Sequence, residues 1–213
     1  DDLAKLNQMR HEEFGDPEIL TRIAQYEMAY RMQTSVPELT DVSSEPKKVL
    51  DLYGPQVKER GTFAYNCLMA RRLLERGTRF VQVMHAGWDQ HGSVTTELYT
   101  QCKDTDQPSA GLLRDLKQRG LLDDTLVVWG GEFGRPGLTP GNGKNETGHN
   151  ANGFTFWMAG GGVKGGFSYG ATDEHGYEAV QGKMHIHDWH ATILHLLGLD
   201  HEKLTYRHAG RDF

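Results

Sequence analysis

Two short apolar runs in the middle of this chain each end in a polar cluster flanked by glycine. Arg79-Phe80-Val81-Gln82-Val83-Met84 leads into Gly87-Trp88-Asp89-Gln90-His91, and Thr125-Leu126-Val127-Val128-Trp129 leads into Gly130-Gly131-Glu132-Phe133-Gly134. Short β-rich runs separated by helical patterns predict a largely parallel sheet with crossover helices. In such sheets ligands collect beyond the carboxyl ends of the strands. Asp89, His91 and Glu132 are therefore expected on loops that face a crevice. Residues 134–152 are rich in Gly, Pro, Asn and Thr and show no helical period, and then Phe154-Thr155-Phe156-Trp157-Met158 reads as another strand. With no helix to carry a parallel crossover, this strand is expected to return antiparallel. That return would bring His149 to the same sheet edge as Asp89 and Glu132.

Around this centre the pattern is helical. Ile19, Leu20, Ile23, Tyr26, Ala29 and Tyr30 recur at spacings of three and four, which predicts an amphipathic helix over 18–31. The polar stretch 35–46 holds two prolines and reads as loop, with a short helix over 46–53. A stronger helix is expected over 62–76, with Cys67 inside it and Gly77 as its stop. Further helices are expected over 108–119 and 188–197, with His195 on the apolar face of the last. The domain reading is a helical lead-in segment, 1–60, followed by an α/β domain, 61–213. No repeat or low-complexity tract interrupts it.

Carboxylate oxygen combined with imidazole nitrogen suits zinc, manganese or iron better than calcium, which takes oxygen ligands. An Asp-x-His turn lets Asp89 and His91 reach one ion; the competing reading is a solvated turn in which Asp89 caps the helix that follows. Gly87, Gly92, Gly131 and Gly134 suggest close backbone approach to something bound, and ordinary turn chemistry accounts for them as well. His149 sits in a Gly-rich loop. His187 and His190, at i and i+3, share a helix face, and Asp188 between them also fits a capping role. Arg135 follows the Glu132 cluster and fits either a bidentate clamp on an anionic oxygen or a surface ion pair. No Gly-x-Ser-x-Gly elbow, phosphate-binding loop or Cys–His pair is present.

The formal net charge of −6 argues against nucleic acid as a partner. An anionic ester substrate would then need bound metal to reverse the local field. The two cysteines, Cys67 and Cys102, form neither a disulfide framework nor a zinc knuckle and leave the compartment open. No apolar run approaches the roughly 20 residues of a membrane span. The pattern opens mid-helix at Asp1, as in an excised fragment, so an exposed sheet edge pairing with a second copy as a homodimer is a further expectation.

Several stretches resemble a known group. Asp106, Arg119-Gly120-Leu121-Leu122-Asp123-Asp124-Thr125-Leu126-Val127-Val128-Trp129 and Asp188-Trp189-His190-Ala191-Thr192-Ile193-Leu194 resemble segments of sulfatases. Gly148-His149 before a strand resembles a metal-ligand histidine of alkaline phosphatases. Tyr26-Glu27-Met28-Ala29-Tyr30-Arg31-Met32-Gln33, Ala70-Arg71-Arg72-Leu73-Leu74-Glu75-Arg76-Gly77, Gly87-Trp88-Asp89-Gln90-His91, Gly130-Gly131-Glu132-Phe133-Gly134-Arg135 and Ala191-Thr192-Ile193-Leu194-His195-Leu196-Leu197-Gly198 are similar to a bacterial sulfatase-like family catalogued as domain of unknown function 1501. The resemblance implies an alkaline-phosphatase-like α/β fold, a mostly parallel sheet with one antiparallel strand. It also implies a metal-dependent hydrolase of phosphate or sulfate esters acting on a small-molecule or glycan ester. Asp89, His91, Glu132 and His149 would hold a divalent metal, zinc foremost, with manganese, iron or calcium as alternatives. Arg135, His187 and His190 would contact substrate. The superfamily's nucleophile would lie upstream of Asp1, and the full-length protein is expected to be exported or periplasmic. The rival reading is a non-catalytic, metal-containing binding protein for an anionic cell-envelope glycan.

Overall fold

The structure is a computed structural model that describes residues 2–15, 17–137, 139–141 and 144–212. It divides into two units, Asp1–Pro46 and Lys47–Phe213. The first is a pair of helices, α1 (Asp2–Phe14) and α2 (Pro17–Thr40). α2 continues well past 31, through Pro37, into what reads as loop; the ring removes one backbone donor, and Thr40 Oγ1 donates back to the Val36 and Pro37 carbonyls at 3.0 and 3.2 Å. No described side chain of this unit is buried, and Tyr26 and Tyr30 on the predicted stripe stand open.

The second unit holds the core, and the core is helical. α3 (Lys47–Tyr53), a 3-10 turn (Pro55–Lys58), α4 (Phe63–Glu75) and α5 (Val94–Gln118) pack together. Thr62 caps α4, its Oγ1 accepting from Tyr65 N at 3.2 Å, and Gly77 follows its end at φ 83°. Val49, Leu50, Val57, Ala64, Cys67, Leu68, Ala70 and Leu116 are buried between these elements. Gly111 lets α5 approach α3 closely, because a Cβ there would lie 2.5 Å from the Leu52 carbonyl oxygen. α5 starts at Val94, far ahead of the expected 108. Its first half is mostly polar and exposed, so no apolar stripe marks it, and Pro108 looks like a helix start although it lies inside.

The parallel sheet does not form. Residues 80–91 form neither helix nor strand, although burial alternates: Val81, Val83 and His85 are half-buried while Phe80, Gln82 and Met84 are exposed. No described strand pairs with them, and a run without a paired neighbour has no ladder. α5, which should cross over a sheet, packs on α3 and α4 instead. The strands are β1 (Val127–Trp129), β2 (Thr139–Gly141), β3 (Lys144–Glu146), β4 (Trp157–Ala159), β5 (Ala171–Thr172), β6 (Ala179–Gln181), β7 (Arg207–His208) and β8 (Arg211–Asp212). They pair as β1–β4, β2–β3, β5–β6 and β7–β8, each antiparallel. Among the described residues there is no parallel pair, which overturns the expected alkaline-phosphatase-like, mostly parallel α/β sheet. One detail of that expectation is present: the strand after the glycine-rich loop returns antiparallel, with Trp129 opposite Trp157.

α6 (Ile186–Leu196) follows β6, its Trp189 stacked on Phe156 at 4.5 Å. Its start is a reciprocal cap. Asp188 Oδ2 accepts from His185 N at 2.8 Å, and His185 Nδ1 accepts from His187 N at 3.2 Å. His195, expected in the core, is exposed.

Candidate metal centre

The run after α4 is fixed by rings. Phe63 of α4 meets His85 edge-on at 5.4 Å, His85 meets Trp88 at 5.8 Å, and Trp88 meets Trp129 of β1 at 6.4 Å. Trp129 in turn stacks on Trp157 of β4 at 6.1 Å. Edge-to-face and offset contacts of this kind are the favoured geometries for aromatic pairs. They hold the turn that follows Trp88 against the β1–β4 pair. Within that turn Gln90 is buried and its amide donates to the Gly87 carbonyl, while Asp89 and His91 on either side point outward. Gly87 takes φ 97°, a conformation that favours glycine.

The opposing loop is fixed by its backbone. Gly134 and Asn150 exchange both backbone hydrogen bonds at 2.8 Å. A Cβ on Gly134 would stand 2.1 Å from the Gly153 carbonyl oxygen, so the site requires glycine. Buried Thr147 donates its hydroxyl to the Pro136 carbonyl at 2.9 Å, and Asn150 Nδ2 donates to the Gly176 and Tyr177 carbonyls at 3.0 Å each. A backbone contact from Thr147 N to the His91 carbonyl, 3.4 Å long, joins the two loops.

The result is a convergence of side chains 60 positions apart in sequence. Asp89 Oδ1 lies 2.9 Å from His149 Nε2, 3.1 Å from His91 Nε2 and 2.9 Å from Arg135 Nη2. One ligand atom each from Asp89, His91 and His149 falls within 4.8 Å of the others. His91 Nδ1 is 3.2 Å from the Thr147 carbonyl. A carbonyl only accepts, so Nδ1 carries its proton and Nε2 is the nitrogen turned towards the cluster. This arrangement, a histidine oriented through its far nitrogen, is the one that metal-ligating histidines adopt. Phe133 packs against the His149 ring at 4.1 Å. Arg135 ties the loops together, donating also to the Trp88 carbonyl at 3.1 Å and the Gly148 carbonyl at 3.4 Å. The hydrogen bond from His149, and then that from Arg135, holds the Asp89 carboxyl below the usual carboxylate range.

The expected site residues thus divide. Asp89, His91, His149 and Arg135 are together. Glu132 is exposed beyond β1 and gives no ligand atom to this group. His187 and His190 lie at the start of α6, where the His187 ring meets His185 at 4.6 Å. The glycines divide too: Gly87 and Gly134 are structurally required, whereas Gly92 has open space around it. Thr147 and Phe133, which contact the two imidazoles, were given no role by the sequence reading: Phe133 lies within the Gly130–Arg135 stretch, and Thr147 acts on His91 through a main-chain atom that every residue has.

The donor set, one carboxylate oxygen and two imidazole nitrogens, fits zinc and other borderline divalent ions and does not fit calcium's all-oxygen preference. Three protein ligands also match the count of catalytic zinc sites, which keep a position for water or substrate. No helix among the described residues is long and apolar enough to cross a membrane. No curated protein and no solved structure matches the chain significantly. A family profile does match, over residues 1–213, and the chain belongs to that family, described as protein of unknown function (DUF1501).

Proposed function

We propose that the chain carries a divalent-metal centre, zinc foremost, held by Asp89, His91 and His149, and that the protein is a metal-dependent hydrolase of phosphate or sulfate esters. The observation that carries the reading is the convergence itself. Two histidines from different loops turn their Nε2 atoms towards one carboxylate oxygen, and the far nitrogen of His91 is already engaged by a backbone carbonyl. The likeness of several segments to sulfatases supports the ester class, and Arg135 supplies a guanidinium beside the ligands. A bound zinc ion would contribute Lewis acidity towards an ester oxygen and lower the pKa of a nucleophile. The residues' own work is to bind and orient: Thr147 sets the His91 ring, Phe133 sets the His149 ring, and Arg135 offers donors to an anionic oxygen.

The test is elemental analysis of purified protein before and after chelation, with Asp89→Ala as control, followed by assay of the full-length protein on phosphate and sulfate esters. About one metal ion per chain, lost in the variant, is the expected result. No metal above background at micromolar supply, or equal metal in the variant, sinks the proposal.

A further inference from the structure

Arg135 does not stand back from the ligands to await a substrate. Its Nη2 is 2.9 Å from Asp89 Oδ1, the same oxygen approached by both imidazoles. Its side chain is 26% exposed and Asp89's is 73% exposed, so the pair lies at the surface. One oxygen that already accepts from a guanidinium cannot also serve a divalent cation without loss, because the two positive charges repel at that distance. We infer that Arg135 and the metal ion compete for Asp89 Oδ1, so that metal binding releases the guanidinium to an anionic oxygen and couples the two binding events. The inference rests on the metal reading above and adds a rule to it: metal and anion each tighten the binding of the other. Reciprocity follows from linkage, since whatever factor the metal gives the anion, the anion gives the metal.

The competition also assigns Arg135 a distinctive signature. A residue that only braces the loops, through the Trp88 and Gly148 carbonyls, would weaken metal binding when removed. A competing cation would strengthen it. An exposed ion pair has a modest effect, so the expected gain is about two- to fivefold in affinity, and it should shrink as salt screens the pair.

The experiment measures zinc affinity by competition with a chromophoric chelator, with and without inorganic sulfate, on the wild type, Arg135→Gln, Arg135→Lys and Asp89→Ala, each checked for fold by circular dichroism. Expected are tighter zinc binding in Arg135→Gln at low salt, a smaller gain at high salt, and sulfate that tightens zinc binding in the wild type but not in Arg135→Gln. Arg135→Lys keeps a charge without the fork and should fall between. Zinc bound by the wild type but no tighter in Arg135→Gln overturns the competition and leaves the metal site standing. No zinc bound by the wild type or by Arg135→Gln overturns both.

Discussion

Asp115 offers the clearest test of how the helical core is held together. It is 1% exposed, and its carboxylate receives three donors: Tyr53 Oη at 2.8 Å and Arg71 Nε at 2.9 Å on one oxygen, and Arg119 Nε at 2.7 Å on the other. Arg71 is buried to the same degree and also reaches Glu75 at 2.6 Å. Burial, reinforced by the Asp115 carboxylate, pushes the Tyr53 hydroxyl far above its ordinary pKa, so it remains a neutral donor. Replacing Asp115 with alanine leaves a buried guanidinium and a buried hydroxyl without this acceptor. Breaking a buried pair by removing one partner costs about 3–5 kcal/mol. Glu75 still faces Arg71 and favours the lower end, whereas the stranded Tyr53 hydroxyl adds about 1–3 kcal/mol. A loss of about 4 kcal/mol is therefore expected from urea denaturation followed by circular dichroism, with tryptophan fluorescence as a second probe of two-state behaviour. Arg71→Met combined with Asp115→Leu removes both buried charges, and apolar replacement of a whole pair is often near neutral. The double variant should regain the part of the loss that comes from the uncompensated Arg71 charge, while the Tyr53 hydroxyl stays without its acceptor. If Asp115→Ala costs under about 1 kcal/mol, the level of an exposed pair, or the double variant is no better than the single one, the reasoning fails.

Gly134→Ala should be poorly tolerated, since its methyl would meet the Gly153 carbonyl at 2.1 Å; overpacking of this kind costs about 1–3 kcal/mol, and a parallel drop in zinc affinity would show that the cradle moved. Asp89 predicts an acid limb. Its folded pKa is depressed, so its contribution to stability is present above the ordinary carboxylate pKa of about 3.9 and is lost as pH falls through the folded value. The pH dependence of unfolding should therefore be shallower below that range in Asp89→Asn than in the wild type, and identical slopes would count against the geometry.

The sequence made its local chemistry legible better than its long-range pairing. α4 was readable because Thr62, an apolar stripe and Gly77 all point one way, and Cys67 proved to be core as its helical position implied. Asp89, His91 and His149 do come together, but not by the route the sequence suggested: β4 returns antiparallel to β1, yet the run before Asp89 joins no sheet, and the two loops meet through the Thr147–His91 backbone contact and Arg135. What failed was the inference from apolar runs to a sheet. The run 79–84 has the composition and the alternation of a strand, but pairing depends on a neighbour that composition does not supply. The first half of α5 was hidden for the opposite reason, since a polar and exposed helix leaves no period to detect. Glu132 shows the consequence of the first error: placing it with Asp89 assumed parallel neighbouring strands, and without them it stands apart from the cluster.

The frame beneath the cluster is written largely in main-chain atoms: the Gly134–Asn150 exchange, the Thr147 contact with His91, and carbonyls of Trp88 and Gly148 that receive Arg135. None of these requires a particular side chain at 89, 91 or 149. The ligand set can therefore drift or be redesigned, for example by exchanging a carboxylate for an imidazole to favour a softer ion, without dismantling the loops that present it. Position 134 has no such freedom. A lineage with this architecture would be expected to vary the residues that touch the ion more readily than the glycine wedged against the Gly153 carbonyl, an inversion of the usual rule that function is read from the reactive side chains.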